Sequence, residues 1–173
     1  MVTDANNLDR LHTLLVDWIE NDPVFSSEYT SKKKSLSKQL LEFENDVASL
    51  TGPAADVLLY RGYDLRKGQR LQDGSLSIQP RSSDLIESWT TDAAWAFQHA
   101  DQFESGIVIR KLASELDIFI DVDAFARTVD AEDLDLEGEI LVRCGQLSVP
   151  ADDWTWSEVD FPKEAEPSVR ACN

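Results

Sequence analysis

The sequence predicts an α+β fold, because two amphipathic helical patterns come first and short strand patterns rich in β-branched residues follow them. The chain has 173 residues, of which 42% are hydrophobic, so one domain with a substantial core is expected. We divide it into N-terminal helices over 1–53, a core over 54–150, and an acidic tail over 151–173 that packs on the core.

Apolar residues at 3–4 spacing predict helices over about 8–20 and 29–50. The first pattern consists of Leu8, Leu11, Leu15, Trp18 and Ile19, and the second of Leu36, Leu40, Phe43, Val47 and Leu50. Asn21-Asp22-Pro23 and Thr51-Gly52-Pro53 are typical stop signals for these two helices. A third helix is expected to begin at a Thr91 cap and to run through about Phe103.

The remaining apolar segments are short and predict strands. They lie at 57–61, 107–109, 118–122, 139–142 and 147–149. Residues 64–84 have the composition of a loop, with one short strand near 76–78. In the tail, Trp154 and Trp156 alternate, so one of them is expected to anchor the tail to the body.

The charge of the chain excludes some classes of function. There are 16 Lys+Arg against 33 Asp+Glu, a net charge of −17, which argues against coating of nucleic acids and docking on anionic membranes. The charge is uneven, since residues 51–83 carry +2 and residues 114–139 carry −9. Two interpretations stay open for the basic stretch: ordinary surface variation, or an anion pocket in an acidic protein.

The sequence also indicates a cytoplasmic protein without a metal. The first seven residues are polar and acidic, unlike a secretory signal, and no apolar run approaches the ~20 residues that span a bilayer. Cys144 and Cys172 lack metal-ligand spacing and are too few for a disulfide framework. We therefore expect a reducing cytosol and no membrane partner.

The first candidate segment is Tyr60-Arg61-Gly62, which we expect at the end of a strand. An arginine that enters a glycine turn is well placed to bind an anion with two parallel hydrogen bonds. The alternative is a surface arginine in a salt bridge.

The second segment, Ser88-Trp89-Thr90, precedes the third predicted helix. Ser88 and Thr90 are two apart and share one side of an extended chain, so both hydroxyls could bind a ligand or a carboxylate. The alternative is helix capping.

The third segment is Glu137-Gly138-Glu139 at the start of a strand. Two carboxylates two apart share a face and favour a division into acid and base roles, and Gly138 leaves room for a close substrate. The alternative is one more acidic patch.

In this order and spacing, the three segments resemble mono-ADP-ribosyltransferases of the Arg-Ser-Glu type, the cholera-toxin-like and clostridial-toxin-like enzymes that include bacteriophage members. Ser88 follows Arg61 by 27 residues, Glu139 follows Ser88 by 51, and the resemblance covers about 56–150. It implies a split β-sandwich with NAD as co-substrate. The middle segment departs from the family pattern, because Trp89 stands where a small hydroxyl residue is usual.

The resemblance also implies roles for the residues. Arg61 would hold the NAD phosphates, with Tyr60, Gly62, Ser88, Trp89, Thr90 and Arg81 as further NAD-binding residues. Glu139 would be the catalytic carboxylate, supported by Ser88, and Glu137 would orient an acceptor guanidinium and take its proton. The implied activity is transfer of ADP-ribose to a side chain of a host or competitor protein, with arginine as the expected acceptor. For a phage-encoded member the reaction would take place in the bacterial cytosol.

Three other interpretations stay open. An acidic, non-catalytic inhibitor or nucleic-acid mimic that binds a basic protein surface would account for the charge without any need for Arg61 or Glu139. A transferase of the same fold could use water or a nucleic acid as the acceptor. Salt adaptation would explain the charge and nothing else.

Overall fold

The computed structural model describes residues 5–20, 27–47, 52–80, 85–131, 134 and 138–159, which hold five α-helices, three short 3₁₀ helices and nine strands. The helices are α1 (Ala5–Glu20), α2 (Ser27–Leu41), α3 (Glu44–Val47), α4 (Ala93–Ala100) and α5 (Val122–Val129). The strands are β1 (Leu58–Asp64), β2 (Gly68–Arg70), β3 (Leu76–Ile78), β4 (Ile86–Thr90), β5 (Gly106–Leu112), β6 (Ile118–Asp121), β7 (Glu139–Arg143), β8 (Leu147–Val149) and β9 (Trp154–Trp156).

The strands form two antiparallel sheets that face each other across a shared core. One sheet has six strands in the order β6-β7-β4-β1-β5-β9, and the other has three in the order β2-β3-β8. The core between them is formed by Leu59, Leu76, Ile78, Trp89, Ile107, Ile109, Ala113, Ile140, Val142 and Val149. The α+β class predicted from the sequence is confirmed.

The N-terminal helices cover the other face of the six-stranded sheet. Their buried side chains join apolar residues of the sheet and of α5 in a second core. From α1, α2 and α3 this core receives Leu11, Leu14, Leu15, Trp18, Leu36, Leu40 and Val47. From the sheet and α5 it receives Ile86, Phe119, Ile120, Leu141, Val122, Phe125 and Ala126. The amphipathic pattern predicted for the first helix is therefore the buried stripe of α1.

Helix α4 lies on β1 and β5, and two glycines make this close approach possible. A Cβ added to Gly62 would lie 2.5 Å from the Ala96 carbonyl oxygen and 2.7 Å from the Ala100 nitrogen. A Cβ at Gly106 would collide with the Ala100 carbonyl. Since contacts with backbone atoms cannot be relieved by a rotamer change, side chains at these positions would displace the helix.

The predicted helix boundaries differ from the observed ones at three places. The second pattern breaks after Leu41 and resumes as α3, while residues 48–51 lie outside the described part of the chain. The cap of α4 is Asp92, whose side chain accepts a hydrogen bond from the Ala94 N–H (2.8 Å), so the assignment to Thr91 was wrong. This helix ends at Ala100 rather than near Phe103.

Helix α5 was not predicted. The sequence favours a strand through Val122, but the strand ends at Asp121 because its side chain accepts from the Ala124 N–H (2.8 Å) and starts the helix.

Two other segments contain more sheet than predicted. The stretch expected to be mostly loop holds β2 as well as β3, which pairs with β8. In the tail, β9 pairs with β5 as an outer strand of the six-stranded sheet. Trp154 donates to the Gly74 carbonyl (2.9 Å), whereas Trp156 is 42% exposed, so Trp154 is the anchor. Residues 160–173 lie outside the described ranges. Within those ranges, no helix is long and apolar enough to cross a bilayer.

Candidate functional site

The three segments singled out in the sequence lie on three neighbouring strands. Glu139 begins β7, Ser88 lies in β4 and Arg61 lies in β1, and these strands are consecutive in the six-stranded sheet. Antiparallel pairing thus brings together residues that are 27 and 51 positions apart in the sequence.

A single donor joins Ser88 and Glu139. The indole Nε1 of Trp18 donates to the Ser88 hydroxyl oxygen (3.0 Å) and to Oε1 of Glu139 (3.2 Å). Trp18 is 2% exposed, while Ser88 and Glu139 are partly exposed. The hydroxyl and the carboxylate therefore lie close together beneath α1 and still reach the surface.

The backbone directly before Glu139 is set by Gly138 and its contact with Thr91. Gly138 has a φ of +68°, and a Cβ there would collide with the Thr91 hydroxyl. The Thr91 N–H donates to the Gly138 carbonyl (3.0 Å). Gly138 therefore serves this backbone conformation and the packing against Thr91. Among the described residues, the expected space for a substrate at this glycine is taken up by Thr91.

The Arg61 side chain bonds to β4. Its Nη1 donates to the Ser88 carbonyl (2.9 Å) and lies 3.3 Å from Oε2 of Glu87. The side chains of Arg61 and Glu87 are 24% and 16% exposed. Among the described residues, Arg61 Nε is buried and has no hydrogen-bond partner. The guanidinium is thus held through Nη1 and retains an unsatisfied buried donor, which costs free energy unless another group supplies an acceptor.

Arg61 does not share a face with the other two residues. Pairing sets Tyr60 opposite Thr90 and Thr90 opposite Glu139, so these three side chains lie on one face. Ser88 follows the same alternation and lies beneath α1 with Glu139. Arg61 is next to Tyr60 and therefore belongs to the face towards the three-stranded sheet. β1 and β4 have a single paired position, Tyr60 with Thr90. The Arg61 guanidinium contacts β4 at Ser88 and Glu87, which precede Thr90 in that strand.

The local geometry of Arg61 and Gly62 differs from the prediction. β1 continues to Asp64, so both residues lie within the strand and not in a turn after it. Gly62 is buried under α4 and serves helix packing. Tyr60 is half-buried and packs against the Ala96, Ala100 and Val108 cluster.

Trp89 occupies the interior of the protein. It is 1% exposed between the two sheets, and its indole N–H donates to Oε1 of Glu87 (3.0 Å). Direct contact with a ligand, as predicted for Trp89, does not fit this burial. The residue instead holds Glu87, which in turn contacts Arg61. Thr90 faces Glu139 across the strands, and its hydroxyl accepts from the Asp92 N–H (2.9 Å).

Two predicted site residues, Glu137 and Arg81, lie outside the described residues.

The basic stretch is largely occupied by internal contacts. Arg66 bonds to both carboxylate oxygens of Asp64 (2.9–3.2 Å) and to Glu104 (3.1 Å). The Arg66 hydrogen bond lowers the pKa of Asp64 despite the opposing effect of burial. Lys67 lies over the Phe103 ring (5.5 Å) and Arg70 over the Trp154 ring (5.3 Å). These contacts favour a structural explanation for the positive charge of Arg66, Lys67 and Arg70.

Sequence reasoning missed two residues of this site, Trp18 and Glu87. Trp18 lies on the apolar stripe of the first helix, and this pattern indicates burial without showing where the indole N–H points. Glu87 directly precedes the Ser-Trp-Thr segment, and its position beside Arg61 depends on how two strands pair. Among the described residues, no group of three His, Cys, Asp or Glu side chains could hold a metal ion.

Comparisons of the chain with protein-family models, with curated proteins and with solved structures found no match.

Proposed function

We propose that the chain is an NAD-dependent mono-ADP-ribosyltransferase that modifies a protein side chain, with arginine as the favoured acceptor. The observation that carries this proposal is the Ser88–Glu139 pair, whose side-chain oxygens lie within hydrogen-bond distance of one buried N–H. A carboxylate with a hydroxyl close by on the adjacent strand is suited to stabilise a cationic sugar.

The proposed reaction breaks the bond between the nicotinamide nitrogen and C1′ of the ribose. Nicotinamide leaves with the electron pair, and the positive charge develops on the ribose. Glu139 bonds to the 2′-hydroxyl and favours this charge electrostatically. A nitrogen of the acceptor guanidinium then attacks C1′ and loses one proton, so the products are nicotinamide, the ADP-ribosylated protein and H⁺.

Arg61 supports the proposal from the other side of β4. Its buried Nε has no acceptor among the described residues, and an anionic oxygen of the NAD pyrophosphate would satisfy it. NAD is an extended molecule, so its phosphates and its nicotinamide ribose need not bind on the same face.

Substitution of Glu139 tests the activity. We expect Glu139→Gln to reduce the cleavage of 1,N6-etheno-NAD by at least ~10², because the charge that favours the oxocarbenium ion is lost. Glu158→Gln is the matched control, since this exposed glutamate follows β9, which three strands separate from β7 in the sheet order. Equal rates for the wild type and Glu139→Gln, with both proteins folded, would contradict the assignment.

The acceptor is tested with biotin-labelled NAD and a bacterial lysate, followed by mass spectrometry of the labelled proteins. If arginine is the acceptor, Glu137→Gln should impair labelling far more than hydrolysis of NAD, because water attack needs no residue to orient a guanidinium. Equal loss of both reactions would argue against this role for Glu137. A wild-type protein that neither cleaves NAD nor labels a target would favour the acidic binding protein instead.

A further inference from the structure

The Trp18 indole occupies an unusual position for a core residue. Its ring belongs to the core under α1, with an exposure of 2%, yet its N–H is directed at the two most chemically active side chains of the candidate site. In the sequence, Trp18 is separated from Ser88 by 70 positions and from Glu139 by 121 positions. Lys33 of α2 lies 3.9 Å from the centre of the ring, and such a cation–π contact helps to hold the ring in place.

The chemistry of an indole dictates the orientation of its partners. Its N–H donates and cannot accept, so Ser88 must present an oxygen lone pair to Trp18. The Ser88 hydroxyl proton consequently points away from the indole and can be donated to another group. On Glu139 the N–H occupies one of about four lone-pair positions of the carboxylate, which leaves capacity for further donors.

We propose that Trp18 is a positioning residue that orients the Ser88 hydroxyl as a donor and fixes Oε1 of Glu139 for the reaction at the ribose. This inference rests on the proposed function and assigns to α1 a part in catalysis beyond covering the core. Trp18 itself touches neither NAD nor the reacting atoms. Its effect is on the preorganisation of the groups that do.

Trp18→Phe tests the proposal, because it keeps an aromatic ring in the core and removes the N–H. We expect kcat for etheno-NAD cleavage to fall about tenfold, as for the loss of a hydrogen bond to a charged group, with a much smaller change in KM. The matched control is Trp154→Phe, which removes an indole N–H bonded to the Gly74 carbonyl (2.9 Å), far from Glu139 along the sheet order. Thermal unfolding verifies that both variants are folded.

A double-mutant cycle separates positioning from a purely structural role. If Trp18 acts through Ser88, Trp18→Phe should cost less activity in a Ser88→Ala background than in the wild type, whereas independent effects would multiply. A kcat within about twofold of wild type for folded Trp18→Phe, or fully multiplicative losses, would overturn the proposal while the transferase activity itself stood.

The indole resonance provides a test that does not require a folded Trp18 variant. We expect the Trp18 side-chain N–H signal to shift in Ser88→Ala and in Glu139→Gln, because both substitutions change its acceptors. A signal that neither substitution moves would overturn the contact and with it the positioning role. If the wild-type protein does not cleave NAD at all, the proposed function is wrong. The positioning role of Trp18 then falls with it, even if the indole signal shifts as expected.

Discussion

Arg61 combines a fixed end and an unsatisfied end in one guanidinium. Nη1 is bonded to the Ser88 carbonyl and to Glu87, while Nε is buried without a partner among the described residues. Glu87 is itself held by the Trp89 indole. The series Trp89–Glu87–Arg61 gives the bulky residue of the middle segment a physical role, since it indirectly sets the direction of the guanidinium.

Arg61→Lys is expected to weaken NAD binding by about tenfold, since lysine keeps the charge but cannot bond to β4 and offer a planar fork at the same time. Isothermal titration calorimetry with NAD measures the change. Arg10→Lys serves as the control, because Arg10 is more than half exposed and pairs with Glu42 on the surface. If Arg61→Lys binds NAD as tightly as the wild type, Arg61 is not a phosphate ligand, and its ion pair with Glu87 is structural.

For individual residues, the sequence could identify candidates but could not predict the direction of their side chains. The three segments and the family resemblance they carry were enough to nominate Arg61, Ser88 and Glu139, which the structure sets on adjacent strands. The alternation of side chains fixes relative direction only within one strand. Whether Arg61 and Ser88 share a face depends on the register between β1 and β4, which is a non-local property. The same limit applies to Trp18, whose partners lie on two distant strands.

At the level of secondary-structure elements, α4 packs on β1 so closely that backbone atoms of the helix contact Gly62. The sequence placed Gly62 in a turn because glycine is unfavourable within strands. The structure retains it in β1 because α4 packs on it through backbone atoms. Similarly, the apolar residues Ile118, Phe119 and Ile120 favoured a strand through Val122. The strand instead ends at Asp121, whose side chain caps α5.

Gly62→Ala should destabilise the protein by about 1–3 kcal/mol, as expected for overpacking against atoms that cannot rotate away. Urea unfolding at equilibrium measures the loss. Gly145→Ala is a stringent control, since an added Cβ there meets no atom within 4 Å and Gly145 has no left-handed φ. Loss of stability at both positions, or at neither, would show that the close approach of α4 does not limit stability.

For the molecule as a whole, part of the excess of acid is paired with arginines, mostly at the surface. The net charge is −17, yet Arg66 and Arg143 each contact two acidic side chains. The charge of the chain was evident from its sequence. The pairs Arg66–Glu104, Arg143–Asp117 and Arg143–Glu44 were not, because their members lie 38, 26 and 99 positions apart. The order of the six strands was also beyond sequence reasoning, since antiparallel partners such as β4 and β7 are separated by more than 40 residues.

The pairing of Asp64 with Arg66 has a consequence for acid stability. The Asp64 side chain is 7% exposed, and the Arg66 hydrogen bond lowers its pKa in the folded state. A carboxyl group of this kind stabilises the fold fully above its unfolded-state pKa, about 3.9, and loses that contribution as the pH falls through the lower folded-state pKa. The contribution of Asp64 should therefore be intact at neutral pH and disappear in acid.

Asp64→Asn measures this contribution directly, because the amide oxygen can still accept from the Arg66 backbone N–H while the charge is removed. We expect the variant to be less stable than the wild type at pH 7, and the gap in the free energy of unfolding to shrink once the pH falls below about 4. Glu115, whose pKa is lowered by Lys111, is present in both proteins and cancels in the comparison. Asp56→Asn is the control, since Asp56 is exposed and has no hydrogen bond or ion pair with any described residue. A gap for Asp64→Asn that stays constant or widens in acid would show that the charge of Asp64 does not stabilise the fold.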